Sequence, residues 1–208
     1  MNLTLVFFII GAYLIGSLSF AVIVSRVMGL ADPRSYGSNN PGATNVLRSG
    51  NKKAAALTLL GDALKGWVAV FAAQQLAPVV GVNAPEEFNT LIAAVALAVT
   101  VGHMWPVFFQ FKGGKGVATA AGILLALNLW LGLATLGIWL FVAKGLKISS
   151  LSAICAAIAA PFLCWYFLPV QVYIAAVIAI SVLLIVRHKQ NIMGLISGKE
   201  GKIGEKAN

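Results

Sequence analysis

Residues 117–143, VATAAGILLALNLWLGLATLGIWLFVA, decide how this chain is threaded, because they are 27 consecutive residues without a charge. As one helix the run would extend about 40 Å, against a hydrocarbon core of about 30 Å. A single crossing would also carry Lys144 and Lys147, and later Arg187, His188 and Lys189, to the same side as the acidic pair Glu86 and Glu87. A tight hairpin of two short helices, breaking near Asn128, returns all of these cations to the opposite side. On that threading all 15 Lys and Arg residues lie at one face of a membrane or in the half of a span next to it. Enrichment of Lys and Arg in short cytoplasmic loops favours the hairpin. Its first arm is too short to cross unless it tilts or the bilayer thins.

The rest of the chain agrees with a membrane reading. Of the 208 residues 60% are hydrophobic and 10% charged, which excludes an ordinary soluble domain. A net charge of +9 would suggest nucleic acid in a soluble protein; in so apolar a chain the positive-inside rule accounts for it, and no nucleic-acid partner is expected. The expected fold is an all-α integral membrane protein with seven transmembrane helices, near 3–24, 54–76, 89–109, 117–127, 130–143, 150–168 and 170–186. They form one polytopic domain, N-terminus outside and C-terminus cytoplasmic. No positive n-region precedes residue 3, so the first apolar stretch is expected to stay as a span rather than be cleaved. Gly11, Gly16, Ser17 and Ser19 give it a small-residue face for another helix. The tail from residue 198 to 208 is charged and is expected to form a surface arm that frays at its end. Cys155 and Cys164 are nine residues apart in one apolar segment, face nearly opposite ways on a helix and cannot bridge each other.

Four polar clusters fall at the cytoplasmic face. The first, residues 35–48, is rich in Ser, Asn and Gly and ends in Arg48. Short hydroxyls and amides can hold a polyol or a phosphate edge, and Arg48 can clamp phosphate through two donors. An ordinary turn-rich loop has the same composition. The second, residues 61–66 (GDALKG), places Asp62 and Lys65 on one face inside a span. They form either a self-contained ion pair or a support that orients a cationic site residue. The third, residues 102–119, opens with Gly102 and His103 and reaches a glycine-rich turn. Lys112, Gly113, Gly114, Lys115 and Gly116 there run into an apolar segment starting near Val117; Lys115 is expected to act in catalysis, and Lys112, the three glycines and Thr119 to bind substrate. Glycines let successive backbone N–H groups converge, and a helix start adds free donors and a positive dipole end. The turn suits phosphate, although a flexible cytoplasmic loop with topological lysines reads the same. The fourth, residues 187–192 (RHKQNI), puts His188 and Asn191 on one helix face where they can hydrogen-bond a hydroxyl; Arg187 and Lys189 are explained by topology. No nucleotide P-loop, Ser-His-Asp order or His-x-x-x-x-Asp pair is present, and the six acidic residues are scattered. No metal or cofactor is expected.

Together GSNNPGATNVLR (37–48), GDALKG (61–66), GHMWPVFFQFKGGKGVAT (102–119) and RHKQNI (187–192) resemble the signature of the bacterial acyl-phosphate:glycerol-3-phosphate acyltransferases, the PlsY family. The likeness runs through essentially the whole chain in order. It implies a multi-pass enzyme of the bacterial inner membrane, active site toward the cytoplasm, that acylates glycerol 3-phosphate from a fatty acyl phosphate without cofactor. It further implies that Ser38, Asn40 and Arg48 hold substrate and that residues 113–116 bind the phosphate of glycerol 3-phosphate. His188 and Asn191 are then needed for activity, and Glu200 supports them structurally. From the residues themselves, Asp62 and Lys65 are expected to support the site, and His103, which could also be a ligand or a base, to be a hydrogen-bonded structural residue. The implied partners are the two substrates, membrane lipid and, functionally, an enzyme that supplies acyl phosphate to what is expected to be a monomer. A carrier for a phosphorylated solute or a membrane-bound regulatory subunit are the alternative classes. Acyl-CoA or acyl carrier protein are the alternative donors.

Overall fold

The computed structural model describes residues 3–205. Among them the chain is helical, with no strand. The order is α1 (Leu3–Gly16), α2 (Phe20–Val27), α3 (Ala43–Leu47), α4 (Lys52–Val79), α5 (Pro85–Met104), a 3₁₀ turn (Val107–Phe109), α6 (Val117–Leu127), α7 (Leu129–Leu146), α8 (Ser149–Phe167), α9 (Gln171–Arg187) and α10 (Lys189–Ile196). Four helical segments are long and apolar enough to cross a membrane: α4, α5 with its 3₁₀ turn, α7 and α8. Two bent pairs, α1 with α2 and α9 with α10, raise the count to six. α6, the short arm of the hairpin, has 11 residues and falls below the length of a span.

The hairpin break is local chemistry. Asn128 is extended, and its Oδ1 accepts from Leu131 N at 3.0 Å, capping α7. Its Nδ2 donates to Phe167 O at 3.5 Å, which ties the break to the end of α8.

Two expected spans differ from the observed helices. The first is not one helix over 3–24. It breaks at Ser17, Leu18 and Ser19 and bends by 43°. A break frees a carbonyl inside the protein, and Lys65 Nζ takes it, donating to Leu18 O at 2.7 Å. The third expected span, 89–109, falls within one candidate crossing, Pro85–Phe109, but that crossing is α5 followed by the 3₁₀ turn rather than one helix. α5 itself stops at Met104 because Pro106 has no N–H and keeps Trp105, at φ −133° and ψ 70°, out of the helical region. It also starts earlier than expected, with Pro85 at its first position and Glu86 and Glu87 in the first turn.

Glycines set how closely the helices approach. A Cβ on Gly16 would strike the backbone of Val99, and one on Gly102 the backbone of Tyr13, so α1 and α5 pack backbone to backbone. Gly66 and Gly122 do the same between α4 and α6, against Thr119 and Ala63. The core joins α4, α5, α6 and α9 through Val70, Ile92, Val99, Ile123, Val177 and Ile180. α8 packs between α7 and α9. The space between α6 and the α8–α9 pair is left open as a cavity.

The C-terminal segment lies at the surface, as expected, and is tied down there. Through Glu205 it folds back over the end of α7, where Ile203 N donates to Lys147 O at 2.7 Å. Residues 206–208 lie outside the described residues.

Candidate active site

A cavity of about 280 Å³ runs from a polar end into the helices. Ser38, Asn40, Arg48, Lys115, Gly116, His188, Asn191 and Glu200 line it on the polar side. Leu124 of α6, Leu136 of α7, Ala153, Ala157 and Ala160 of α8, and Val177 of α9 line its apolar arm. The alanines follow helical spacing on α8, which gives that wall a smooth, narrow profile.

The glycine turn is buried at Gly113, Gly114 and Gly116. His103 stands behind it: a Cβ on Gly113 would strike His103 O, and one on Gly114 would strike His103 Nε2. Gly114 N donates to His103 O at 3.2 Å. Gly116 has φ +89°, a left-handed conformation suited to glycine, and caps α6. Among the described residues no acceptor faces the backbone N–H of Lys115, Gly116, Val117 or Ala118, and all four residues line the cavity. Four successive free amides beside a helix start form a site for anionic oxygens.

Lys115 adds the charge. Its Nζ donates to Asn191 Oδ1; Asn191 Nδ2 donates to Glu200 Oε1 at 2.6 Å, and Ser150 Oγ donates to the same oxygen at 2.6 Å. Glu200 thus fixes Asn191, which fixes Lys115. Burial pulls the Lys115 ammonium down to about 8; the nearby Glu200 carboxylate opposes this, and the Arg187 and Arg48 cations add to it. His188 is buried at the junction of α9 and α10, and its Nδ1 lies 2.7 Å from Leu184 O. A carbonyl only accepts, so Nδ1 carries the proton and Nε2 keeps its lone pair.

Arg48 arrives from the first loop, at the end of α3. That loop is organised by Asn45, which is buried. Asn45 Nδ2 donates to Pro33 O at 2.6 Å and Tyr36 O at 3.1 Å, while its Oδ1 accepts from Ser38 N at 3.0 Å. The α3–α8 side is joined by Thr44 Oγ1 and Ser149 Oγ, 3.0 Å apart.

Of the two sequence readings of Asp62, the ion pair is the one the structure has. Asp62 Oδ1 pairs with Lys65 Nζ at 2.9 Å and lies 3.6 Å from His103 Nδ1. Thr119 Oγ1 donates to Asp62 O at 3.0 Å and lies 3.1 Å from His103 Nδ1. The carboxylate is thus shared between the lysine that holds the α1–α2 break and the histidine that backs the glycine turn.

A protein-family model described as glycerol-3-phosphate acyltransferase matches residues 6–198. The chain belongs to that family. It is 61% identical over 201 residues to the glycerol-3-phosphate acyltransferase of Ralstonia nicotianae, covering 97% of this chain and 95% of the relative. It is 62% identical over 195 residues to that of Neisseria meningitidis, covering 94% and 95%. In three dimensions it resembles PlsY (YgiH), an integral membrane glycerol 3-phosphate acyltransferase. To the glycerol 3-phosphate form the TM-score is 0.86 at 35% identity, covering 97% of this chain and 96% of that one. To the lysophosphatidic acid form it is 0.84 at 34% identity, with the same coverage. Family membership and the apolar helices together make this a membrane acyltransferase of the bacterial PlsY type.

Most of the residues singled out in the sequence of this family member meet at one cavity. Ser38, Asn40, Arg48, Lys115, Gly116, His188, Asn191, Glu200, Asp62 and His103 all line it. Lys112 does not: it is exposed, its N–H held by Phe109 O at 3.1 Å, because the turn reverses after it. Thr119 lies behind the wall, its hydroxyl engaged by Asp62 and His103, so the expectation that it touches substrate is not met by this geometry. Gly113 and Gly114 shape the turn without lining the cavity. Sequence reasoning missed Asn45, Ser150 and Arg187. Asn45 and Arg187 were inside quoted motifs, but their roles depend on carbonyl directions that no spacing encodes.

Proposed function

We propose that this chain moves a fatty acyl group from a fatty acyl phosphate to the 1-hydroxyl of glycerol 3-phosphate, releasing lysophosphatidic acid and phosphate, as the first step of phospholipid synthesis. The observation that carries this reading is the row of four free amides beside Lys115 at the polar end of a cavity with an alanine-walled apolar arm. A small anionic acceptor suits the first part and a lipid tail the second. The likeness to a structure described as a glycerol 3-phosphate form supports it.

In the proposed step the glycine turn and Lys115 hold the phosphate of glycerol 3-phosphate, while Arg48, Ser38 and Asn40 hold the acyl phosphate headgroup. His188 Nε2 accepts a hydrogen bond from the 1-hydroxyl and orients its oxygen. That oxygen attacks the acyl carbonyl carbon, the carbonyl C–O bond to phosphate breaks, and phosphate leaves with the electron pair. The hydroxyl proton passes to a phosphate oxygen. Holding both reactants in one cavity makes the reaction effectively unimolecular, and phosphate is a good enough leaving group that no acyl-enzyme is needed. The site faces the cytoplasm in the inner membrane, with the N-terminus outside, as the placement of Lys and Arg suggests. The acyl tail enters sideways from the bilayer, and the donor comes from an enzyme that makes acyl phosphate.

Detergent-purified protein supplied in turn with acyl phosphate, acyl-CoA and acyl carrier protein decides the donor. Lysophosphatidic acid is expected with acyl phosphate. Turnover with acyl-CoA alone would sink the donor assignment, and no turnover with any donor would sink the enzyme reading. His188→Gln should retain most of kcat; a fall of about 10²-fold or more would make His188 the obligatory base.

A further inference from the structure

Arg187 does not line the cavity, yet its guanidinium is committed to the glycine turn. Nη2 donates to Gly113 O at 2.9 Å and to Gly114 O at 3.2 Å, and Nε donates to Gly114 O at 3.3 Å. Its Cζ lies 5.6 Å from the centre of the Trp105 ring, which holds the guanidinium in place. On the other side of the turn, His103 O takes the Gly114 N–H. A trans peptide points its C=O and N–H in opposite directions, and the described chain has no cis peptide. Drawing the Gly114 carbonyl onto Arg187 therefore turns the next N–H, that of Lys115, away from Arg187. This is the first of the four free amides. Without the guanidinium, two buried carbonyls would lose their donors and the Gly113–Lys115 peptides would be free to rotate.

We propose that Arg187 is the positioning residue of the phosphate turn: by holding the Gly113 and Gly114 carbonyls it aims the amide row, and so sets the affinity for the phosphate of glycerol 3-phosphate. This rests on the function proposed above. It assigns the arginine a task beyond the topological charge that its place at the end of α9 already explains. A fork of donors is essential to it. Lysine keeps the charge and the topology but cannot grip two carbonyls with a planar fork or lie flat on Trp105.

Arg187→Lys separates the two roles. The expected result is a rise of about tenfold or more in KM for glycerol 3-phosphate, the scale of losing hydrogen bonds from a charged donor. KM for acyl phosphate and kcat should stay within about twofold, the pattern of lost ground-state binding. Inorganic phosphate, titrated calorimetrically into the detergent-purified variant without any donor, reads the turn independently of turnover and should bind about tenfold more weakly. Wild-type protein that binds phosphate but fails to acylate glycerol 3-phosphate would count against the function while leaving the clamp testable by calorimetry. Rescue of both readouts by lysine would overturn the inference, leaving only a charge. So would a common fall in kcat, both KM values and thermal stability, which would mark general structural damage. Trp105→Leu, which keeps both carbonyl bonds and removes the ring, should raise the same KM by a smaller factor; an unchanged KM there together with lysine rescue would leave nothing of the proposal.

Discussion

The two loops that meet at the polar end of the cavity are built in opposite ways. The turn at 113–116 is buried at its glycines and held on two sides, by the His103 backbone and by Arg187. The loop at 37–42 is exposed over residues 37–39 and is organised by one side chain, Asn45. No hydrogen-bond partner among the described residues holds the Ser38 hydroxyl or the Asn40 amide. The turn at 113–116 offers a finished row of donors, so on the proposed function little reorganisation is needed when phosphate binds. The loop at 37–42 leaves its polar groups free to settle on a ligand. A small soluble acceptor that must be captured from water suits the rigid loop. A headgroup whose position is already restricted by its tail suits the adaptable one.

Substitutions can break or sharpen this contrast. The largest effect is expected for Lys115→Ala, which removes the charge at the centre of the rigid site. Its kcat/KM should fall about 10²- to 10³-fold in the acyl phosphate assay. Next is Gly114→Ala, whose Cβ would collide with His103 Nε2 and press on Pro41 O. The turn must shift, and KM for glycerol 3-phosphate should rise by up to about 10²-fold. If this substitution were silent, the turn would not be rigid and the contrast would disappear. Asn45→Ala unties the other loop. It should lower kcat/KM about tenfold and destabilise the protein by about 1–3 kcal/mol, as buried carbonyls lose their donor. Asn39→Gly should change least, within about twofold, because Asn39 is exposed at φ +54° and glycine adopts that backbone freely. A large effect there would mean the exposed loop is as constrained as the buried one.

pH sharpens the same comparison, because the two loops use different cations. Lys115, pulled down to about 8 by burial, loses its proton within the working range. KM for glycerol 3-phosphate should be flat below about pH 8 and rise above it, and Lys115→Arg should remove the rise. Stability moves the other way. An unfolded lysine holds its proton to about 10.5, so between about 8 and 10.5 the unfolded state binds more protons than the folded one. Across that window the contribution of Lys115 to the stability of the substrate-free protein increases with pH. A melting series without substrate, run beside the kinetics, checks both signs.

The sequence was informative wherever a property is local. A long uncharged run that could not be one span, with Asn128 as its polar interruption, gave the hairpin break that the structure has. The clustering of glycine and lysine before Val117 gave the amide row, and the burial of Asp62 beside Lys65 gave their pairing. The first apolar stretch was misread as one helix because its break costs nothing visible locally: the freed Leu18 carbonyl is satisfied by Lys65, 47 residues away.

What this sequence determined by itself is that the chain is apolar helix and that four polar motifs share the pattern of one acyltransferase family. Hydropathy, charge and short-range spacing are enough for that, since each depends on residue type alone. Only the tertiary structure decided which groups line the cavity and which stand behind it. It put Lys112 outside and Thr119 behind the wall, brought Glu200 back from the tail to hold Asn191, and gave Arg187 two carbonyls to hold. These roles depend on the direction of individual peptide groups and on contacts across dozens of residues, and neither is written in the order of the side chains.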